Sequence, residues 1–405
     1  MTTPKLKLTQ ASIWIMLALA CQAQAAQLTS AAKLTFDDQG TLYIADWKAA
    51  RVYAVKVPPA SGAAATPFNL QDVQTPIASA LKVKNAGLRF DDLAVQPGSG
   101  LAWVAVTANG KPAVVSIDAA GKVRVLPTGH LQNYAVITDP PASSESFWRD
   151  LPAPALTVTD MKVHGGKLYL AGLSNRNFAS TLRVFELPLS ASGKARTATV
   201  EMYHPVHNQV ETRAPIRAMT FATVDGVPSM VAAYTCTPLV LIPLDAIEDG
   251  AHIVGKTIGE MGWGSAPVGM VSYTLGEQEM VLLANTSRSA DLMSVGDIAK
   301  QAKLPGLRDP ISVPDQPYAG VKAAMTPMAA VTRFDNQDDK LLLALRREDA
   351  SGAMQLVSIP KGAYLRLSDF VNEYDFRDYV YPPTDKYHEF HKFGRTLEGY
   401  PELAR

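Results

Sequence analysis

Leu34-Thr-Phe-Asp-Asp-Gln-Gly-Thr-Leu-Tyr-Ile-Ala-Asp46 reads as a short alternating strand, a turn rich in Asp and Gly, and a second strand ending in Ala plus one more residue. A third strand, Arg51-Val-Tyr-Ala-Val-Lys-Val57, follows directly. The same unit recurs along the chain. Its second strands are the clearest copies: Leu101-Ala-Trp-Val-Ala-Val106, Lys167-Leu-Tyr-Leu-Ala-Gly172, Ser229-Met-Val-Ala-Ala-Tyr234, Glu279-Met-Val-Leu-Leu-Ala284 and Lys340-Leu-Leu-Leu-Ala-Leu345. The units start near Lys33, Asp92, Asp160, Arg217, Gly269 and Ala329. Their spacing of roughly 50 to 70 residues is at or somewhat above the range of propeller and solenoid repeats.

A sheet of three or four strands cannot bury both faces alone. Blades packed face to face in a ring hide those faces and close the array. The expected fold class is therefore all-β, a β-propeller, with six blades from the number of units and a seventh if a degenerate copy lies in 121–157 or 300–325. A set of β-sandwiches also accommodates short alternating strands. A strand–turn–strand–strand unit at one period points to the propeller instead. Long helical periodicity is absent, and the helix-like pieces 291–301 and 367–371 fall between blades or in the tail. Residues 140–154, proline-rich and carrying Trp148, read as a long loop on one face. The tail 364–405, dense in aromatic and charged residues, is expected to complete or cover the last blade.

The N-terminus has the build of a secretory signal peptide. Lys5 and Lys7 form a basic start, residues 13–21 an apolar run too short to span a bilayer, and Ala23-Gln-Ala25 a small-residue cleavage site. Cleavage after Ala25 would leave a propeller domain over 26–363, in the periplasm or secreted. Cys21, in Ala18-Leu-Ala-Cys21, offers the rival reading of a lipid-anchored protein. After Ala25 no apolar run approaches the length of a membrane span. Removal of the leader takes Lys5 and Lys7 from 38 basic residues set against 38 acidic ones, leaving a net charge of −2. That balance argues against nucleic acid as a partner. The expected partner is a small-molecule ligand or another periplasmic protein, and the expected state a monomer. Cys236 is the only cysteine after the leader, so stability must come from the core rather than from a disulfide.

Units of the form seen in residues 34–46 resemble those of the NHL and SMP-30-like six-bladed β-propeller superfamily, over most of the chain after the leader. The resemblance implies fold more than activity. That superfamily contains metal-dependent lactonases and esterases as well as non-catalytic binding propellers.

In a propeller the innermost strands line a channel, and residues at its entrance converge on one funnel. Superposing the units by their first strands puts Asp92, Asp160 and Arg217 at equivalent positions. Two carboxylates there could hold Ca²⁺, and an arginine beside them could clamp an anion or neutralise the acids. Loops after the second strands add Asn175, Arg176, Asn285 and Arg288, a set suited to anionic or carbonyl-bearing ligands. The densest polar cluster is His204-Pro-Val-His-Asn-Gln-Val-Glu-Thr-Arg213, running into the first strand of the fourth unit. His204 and His207 can converge on a transition metal, with Glu211 completing a site or moving protons and Arg213 close by. Cys236 lies after the second strand of that same unit, either buried or employed with those histidines. His388 and His391 in the tail read as packing or surface. No C-x-x-C-H, G-x-S-x-G, P-loop or H-E-x-x-H motif is present, which excludes covalent c-type haem. Three functions follow: a non-catalytic propeller binding a ligand or partner at its mouth, a metal-dependent lactonase or esterase, and a copper or zinc accessory protein of a periplasmic redox enzyme.

Overall fold

In a computed structural model of the protein, the residues described are 27–361 apart from 59–65, 148–150, 263–265, 287–289, 312–317, 327, 329 and 349–350. The leader with Cys21, Trp148, Arg288 and the tail with His388 and His391 lie outside them. The opening stretch folds as read. Lys33–Phe36 and Thr41–Asp46 pair antiparallel, and Asp37 accepts hydrogen bonds from the backbone N–H groups of Gln39 and Thr41 to fix the turn. Gly40 takes the left-handed conformation that closes this turn, at φ 72°.

The regular structure of the described residues is almost wholly strand, in a propeller-like arrangement. Six antiparallel sets can be followed outward from an inner strand. The inner strands are, in chain order, Lys33–Phe36, Leu88–Val95, Asp160–His164, Ile216–Val224, Pro267–Leu275 and Val331–Asn336. They contact one another cyclically, but not in chain order: the first strand lies between the second and the third, and the second closes onto the sixth. Six apolar clusters fill the seams in the same cyclic order. Leu42, Ile44 and Trp103 join the first set to the second, whereas Tyr43, Met161 and Leu170 join the first to the third. Leu93, Val104, Leu343 and Leu356 join the second to the sixth.

This exchange of the first two sets explains where their outer strands come from. The first set takes its fourth strand, Tyr134–Val136, from the segment after the second set. The sixth takes Asn69–Leu70, which pairs with Met354–Pro360 from the other end of the described chain. Residues 121–157 do not form a further unit: Val123–Val125 and Tyr134–Val136 are outer strands of the second and first sets, and the expected long loop at 140–154 carries a two-stranded hairpin, Ser146–Phe147 with Leu151–Pro152. The third and fourth sets also join, because Arg196–His204 runs parallel to His252–Met261.

Register explains the recurring alanine of the second strands. Lys33, Asp92, Asp160, Ala218 and Gly269 each lie opposite Ala45, Ala105, Ala171, Ala233 and Ala284 respectively. All five alanines are buried where the inner strands crowd towards the channel, so a small side chain is what fits. One local expectation needs correcting. The segment 291–301 begins as the strand Ala290–Ser294, which buries Leu292 and Met293, and turns helical only at Val295–Ala302, where Ser294 caps the helix through the Asp297 N–H. The helix Gln74–Leu81 gave no legible period, since Ile77 and Ala78 are its only buried residues. Among the described residues no helix is long and apolar enough to cross a membrane.

Candidate functional site

The starts of the inner strands open into a cavity of about 520 Å³ lined by Lys33, Lys48, Arg89, Arg217 and Arg333, against Asp91 as the one acid. Asp91 is already engaged, accepting from Arg89 Nε at 2.7 Å and from the Thr107 hydroxyl at 2.6 Å. Arg217 reaches the mouth through a β-bulge: the register slips between Ile216 and Ala218, so Ala218 holds the position equivalent to Asp92 and Asp160. A bulge re-aims a side chain in this way. Arg217 consequently stands in the cavity wall, and among the described residues no carboxylate comes within ion-pair distance of it. Burial, then the nearby Arg333 charge, pushes its pKa below the usual value.

The two aspartates expected beside it have other engagements. Asp92 Oδ2 accepts from the Leu34 N–H at 2.8 Å, and its Oδ1 lies 3.5 Å from Lys33 Nζ and 3.4 Å from Arg333 Nε. Both oxygens of Asp160 accept backbone N–H groups, from Met161 at 2.9 Å and from Met219 at 2.7 Å. Asp335 repeats the pattern with Val95 and Asn336. Each aspartate thus fastens one inner strand to the next. Burial raises the pKa of Asp160 and Asp335, whereas burial lowers that of Lys33 and is outweighed for Lys162 by Asp335 and Asp160.

The loop residues separate. Asn175 and Arg176 are tied to Asp139, by a backbone hydrogen bond and by an ion pair of 3.3 Å, and do not line the cavity. Asn285 is buried and donates to Asp291 Oδ2 at 2.8 Å. Arg213 is exposed and does not line the cavity.

The His204 segment forms a second constellation on the same face. Tyr234, the last residue of its strand, pairs with Ile216 next to Arg217, and Cys236 follows two residues later. His204 ends Arg196–His204, a turn through Asn208 reverses the chain, and Gln209–Glu211 pairs back so that His204 faces Gln209. Glu211 Oε1 is thereby shared by His204 Nδ1 at 2.9 Å and His207 Nδ1 at 2.5 Å. One ligand atom from each of His204, His207 and Cys236 lies within 4.8 Å of the other two. Burial opposes charge on His204, but Cys236, Glu211 and Glu260 together outweigh it and raise its pKa to about 9. Glu211, pushed up by burial, is pulled down to about 2 by the two histidines.

Sequence reading missed Lys33, Arg333 and Glu260. The first two stand opposite Ala45 and Leu345, in register with Asp92 and Asp160, so aligning units by the end of the second strand would have found them. Glu260 sits in an outer strand, and nothing in its neighbourhood in sequence marks it.

No family model matches the chain, and no curated protein matches it. Among solved structures, a chain of a mitotic checkpoint complex is similar at 8% identity, over 89% of this chain and 98% of that one, with a TM-score of 0.36. The dihydro-heme d1 dehydrogenase NirN is similar at 13% identity over 81% of this chain and 53% of its own, with a TM-score of 0.32. Drosophila semaphorin 2a is similar at 8% identity, over 84% and 74%, with a TM-score of 0.31.

Proposed function

We propose that this chain is an exported six-bladed propeller, of the NHL and SMP-30-like kind in its repeat, which binds a small anionic ligand at its mouth without chemistry of its own. Six inner strands in cyclic contact support the blade count. The observation that carries the ligand class is Arg217, held in the wall of the mouth without a carboxylate partner among the described residues and beside Lys33 and Arg333. Those two cations share the single carboxylate of Asp92. In a concave site with protein walls such charges focus their field outward, although the mature chain as a whole would be slightly acidic. Guanidinium groups favour planar oxyanions, which accept paired N–H bonds.

The expected result is saturable binding of a carboxylate or phosphate compound, found by thermal shift across an anion panel and measured by calorimetry. Affinity should fall as salt rises. Arg217→Met should weaken it about 10- to 100-fold, the effect of losing one charged hydrogen-bonding group. Equal affinity in wild type and Arg217→Met would remove the mouth as the site. Turnover of a lactone or ester panel, lost in Arg217→Met, would replace binding by catalysis.

A further inference from the structure

Glu260 is 1% exposed, and both of its carboxylate oxygens lack a hydrogen-bond partner. So does Nε2 of His204, which is fully buried and lies 3.8 Å from Glu260 Oε2, too far for a hydrogen bond. Thr237 and the Gly262 backbone stand beside Glu260, and Cys236 beside His204, yet none of them meets hydrogen-bond geometry with the three atoms. A buried polar atom without a partner is destabilising, and more so when it is charged. Here Glu260 Oε2 and His204 Nε2 stand 3.8 Å apart, and the Cys236 thiol lies within 4.8 Å of a ring nitrogen of His204.

The donor chemistry at that point is specific. Glu211 takes up Nδ1 of both histidines, so each ring keeps Nε2 for a further ligand. A carboxylate that orients a ring through its other nitrogen is the usual partner of a metal-bound histidine. Cys236 adds sulfur from a backbone held at φ 76°, a left-handed conformation that is uncommon for a residue other than glycine. Two imidazoles, a thiolate and a carboxylate make a four-membered N₂SO set. With thiolate and carboxylate both ionised, the set carries two negative charges, which a dication neutralises in a buried setting.

We infer that His204, His207, Cys236 and Glu260 form a binding site for Zn²⁺, with Glu211 positioning both imidazole rings. Tetrahedral zinc, with bonds of about 2.0–2.3 Å, places its ligand atoms about 3.3–3.8 Å apart. The span of up to 4.8 Å among the ligand atoms of His204, His207 and Cys236 must therefore contract by about 1 Å, with Glu260 Oε2 closing on them from its 3.8 Å distance to His204 Nε2. His207, whose side chain is 45% exposed, has the freedom to do this, while His204 and Glu260 stay fixed in the core. The site is independent of the anion-binding mouth, and neither reading needs the other.

The test uses the full chain with Cys21→Ser, so that Cys236 is its single thiol. Zn²⁺ added to metal-stripped protein should bind at one equivalent and slow the reaction of Cys236 with a disulfide reagent. Co²⁺ in its place should give visible bands of tetrahedral intensity together with a thiolate charge-transfer band. His207→Ala and Cys236→Ser, both outside the buried core, should weaken Zn²⁺ binding at least 100-fold and abolish the charge-transfer band. Glu211→Gln should weaken binding about 10- to 100-fold, as loss of a positioning carboxylate does elsewhere. Arg217→Met should bind Zn²⁺ like the parent. Absence of stoichiometric Zn²⁺ at micromolar concentrations overturns the site. So does binding unchanged in folded Cys236→Ser and His207→Ala, or uptake of Cu⁺ alone, which would point to a monovalent site.

Discussion

Replacing Asp139 by alanine is expected to destabilise the protein by about 3–5 kcal/mol, the cost of leaving a buried charge without its partner. The charge in question is Arg183, whose side chain is 1% exposed. Its Nε donates to Asp139 Oδ1 at 2.7 Å, and its remaining nitrogens donate to the backbone carbonyls of Thr157, Asp139 and Leu173 at 2.9–3.3 Å. Burial works against the guanidinium charge and Asp139 works for it. Urea unfolding should show a lower midpoint with an unchanged slope, and the melting temperature should fall by roughly 5 °C. Asp139→Asn, which keeps an acceptor for Arg183, should lose less than Asp139→Ala. Equal stability in wild type and Asp139→Ala would mean that the three carbonyls alone sustain the buried charge.

Gly172→Ala should cost about 3 kcal/mol or more, at the upper end of what overpacking does. A methyl group there would run into the carbonyl oxygen of Thr157 and that of Leu156, and backbone cannot move aside as a side chain can. The Thr157 carbonyl is also the one that Arg183 Nη1 engages. The two sites therefore share a group, and Gly172→Ala combined with Asp139→Ala should depart from additivity by more than about 0.5 kcal/mol in a double-mutant cycle. Additive losses would show that the backbone shift forced by the methyl stays clear of the Arg183 carbonyl.

The repeat was legible because period-2 alternation and the recurring alanine both report burial directly, in all six second strands to within two residues of their ends. The order of the sets was not. Which inner strand packs beside which depends on contacts such as Leu93 with the Leu343 seam, and nothing local in either segment encodes that pairing. Of the three residues expected to share one mouth, Arg217 lines the cavity whereas Asp92 and Asp160 hold backbone N–H groups; a one-residue bulge separates Arg217 from the register of the other two, and bulges leave no composition signature. Cys236 and the two histidines did come together, since a short hairpin and one strand pairing carry the chain from one to the other. Glu260 escaped notice for the opposite reason: its partners arrive from a parallel pairing between two different sets.

The exchanged position of the first set has a bearing on how the molecule is made. Strands Lys33–Phe36, Thr41–Asp46 and Arg51–Lys56 leave the ribosome first, but their neighbours and their fourth strand are all synthesised later. The sixth set, made last, must find Asn69–Leu70, by then almost three hundred residues behind it. Two splices far apart in the chain, rather than one at its ends, have to be completed before the ring is sealed. Closure of the ring therefore waits on the strand Met354–Pro360, and a chain held open before that strand is available stays unlocked rather than half-built.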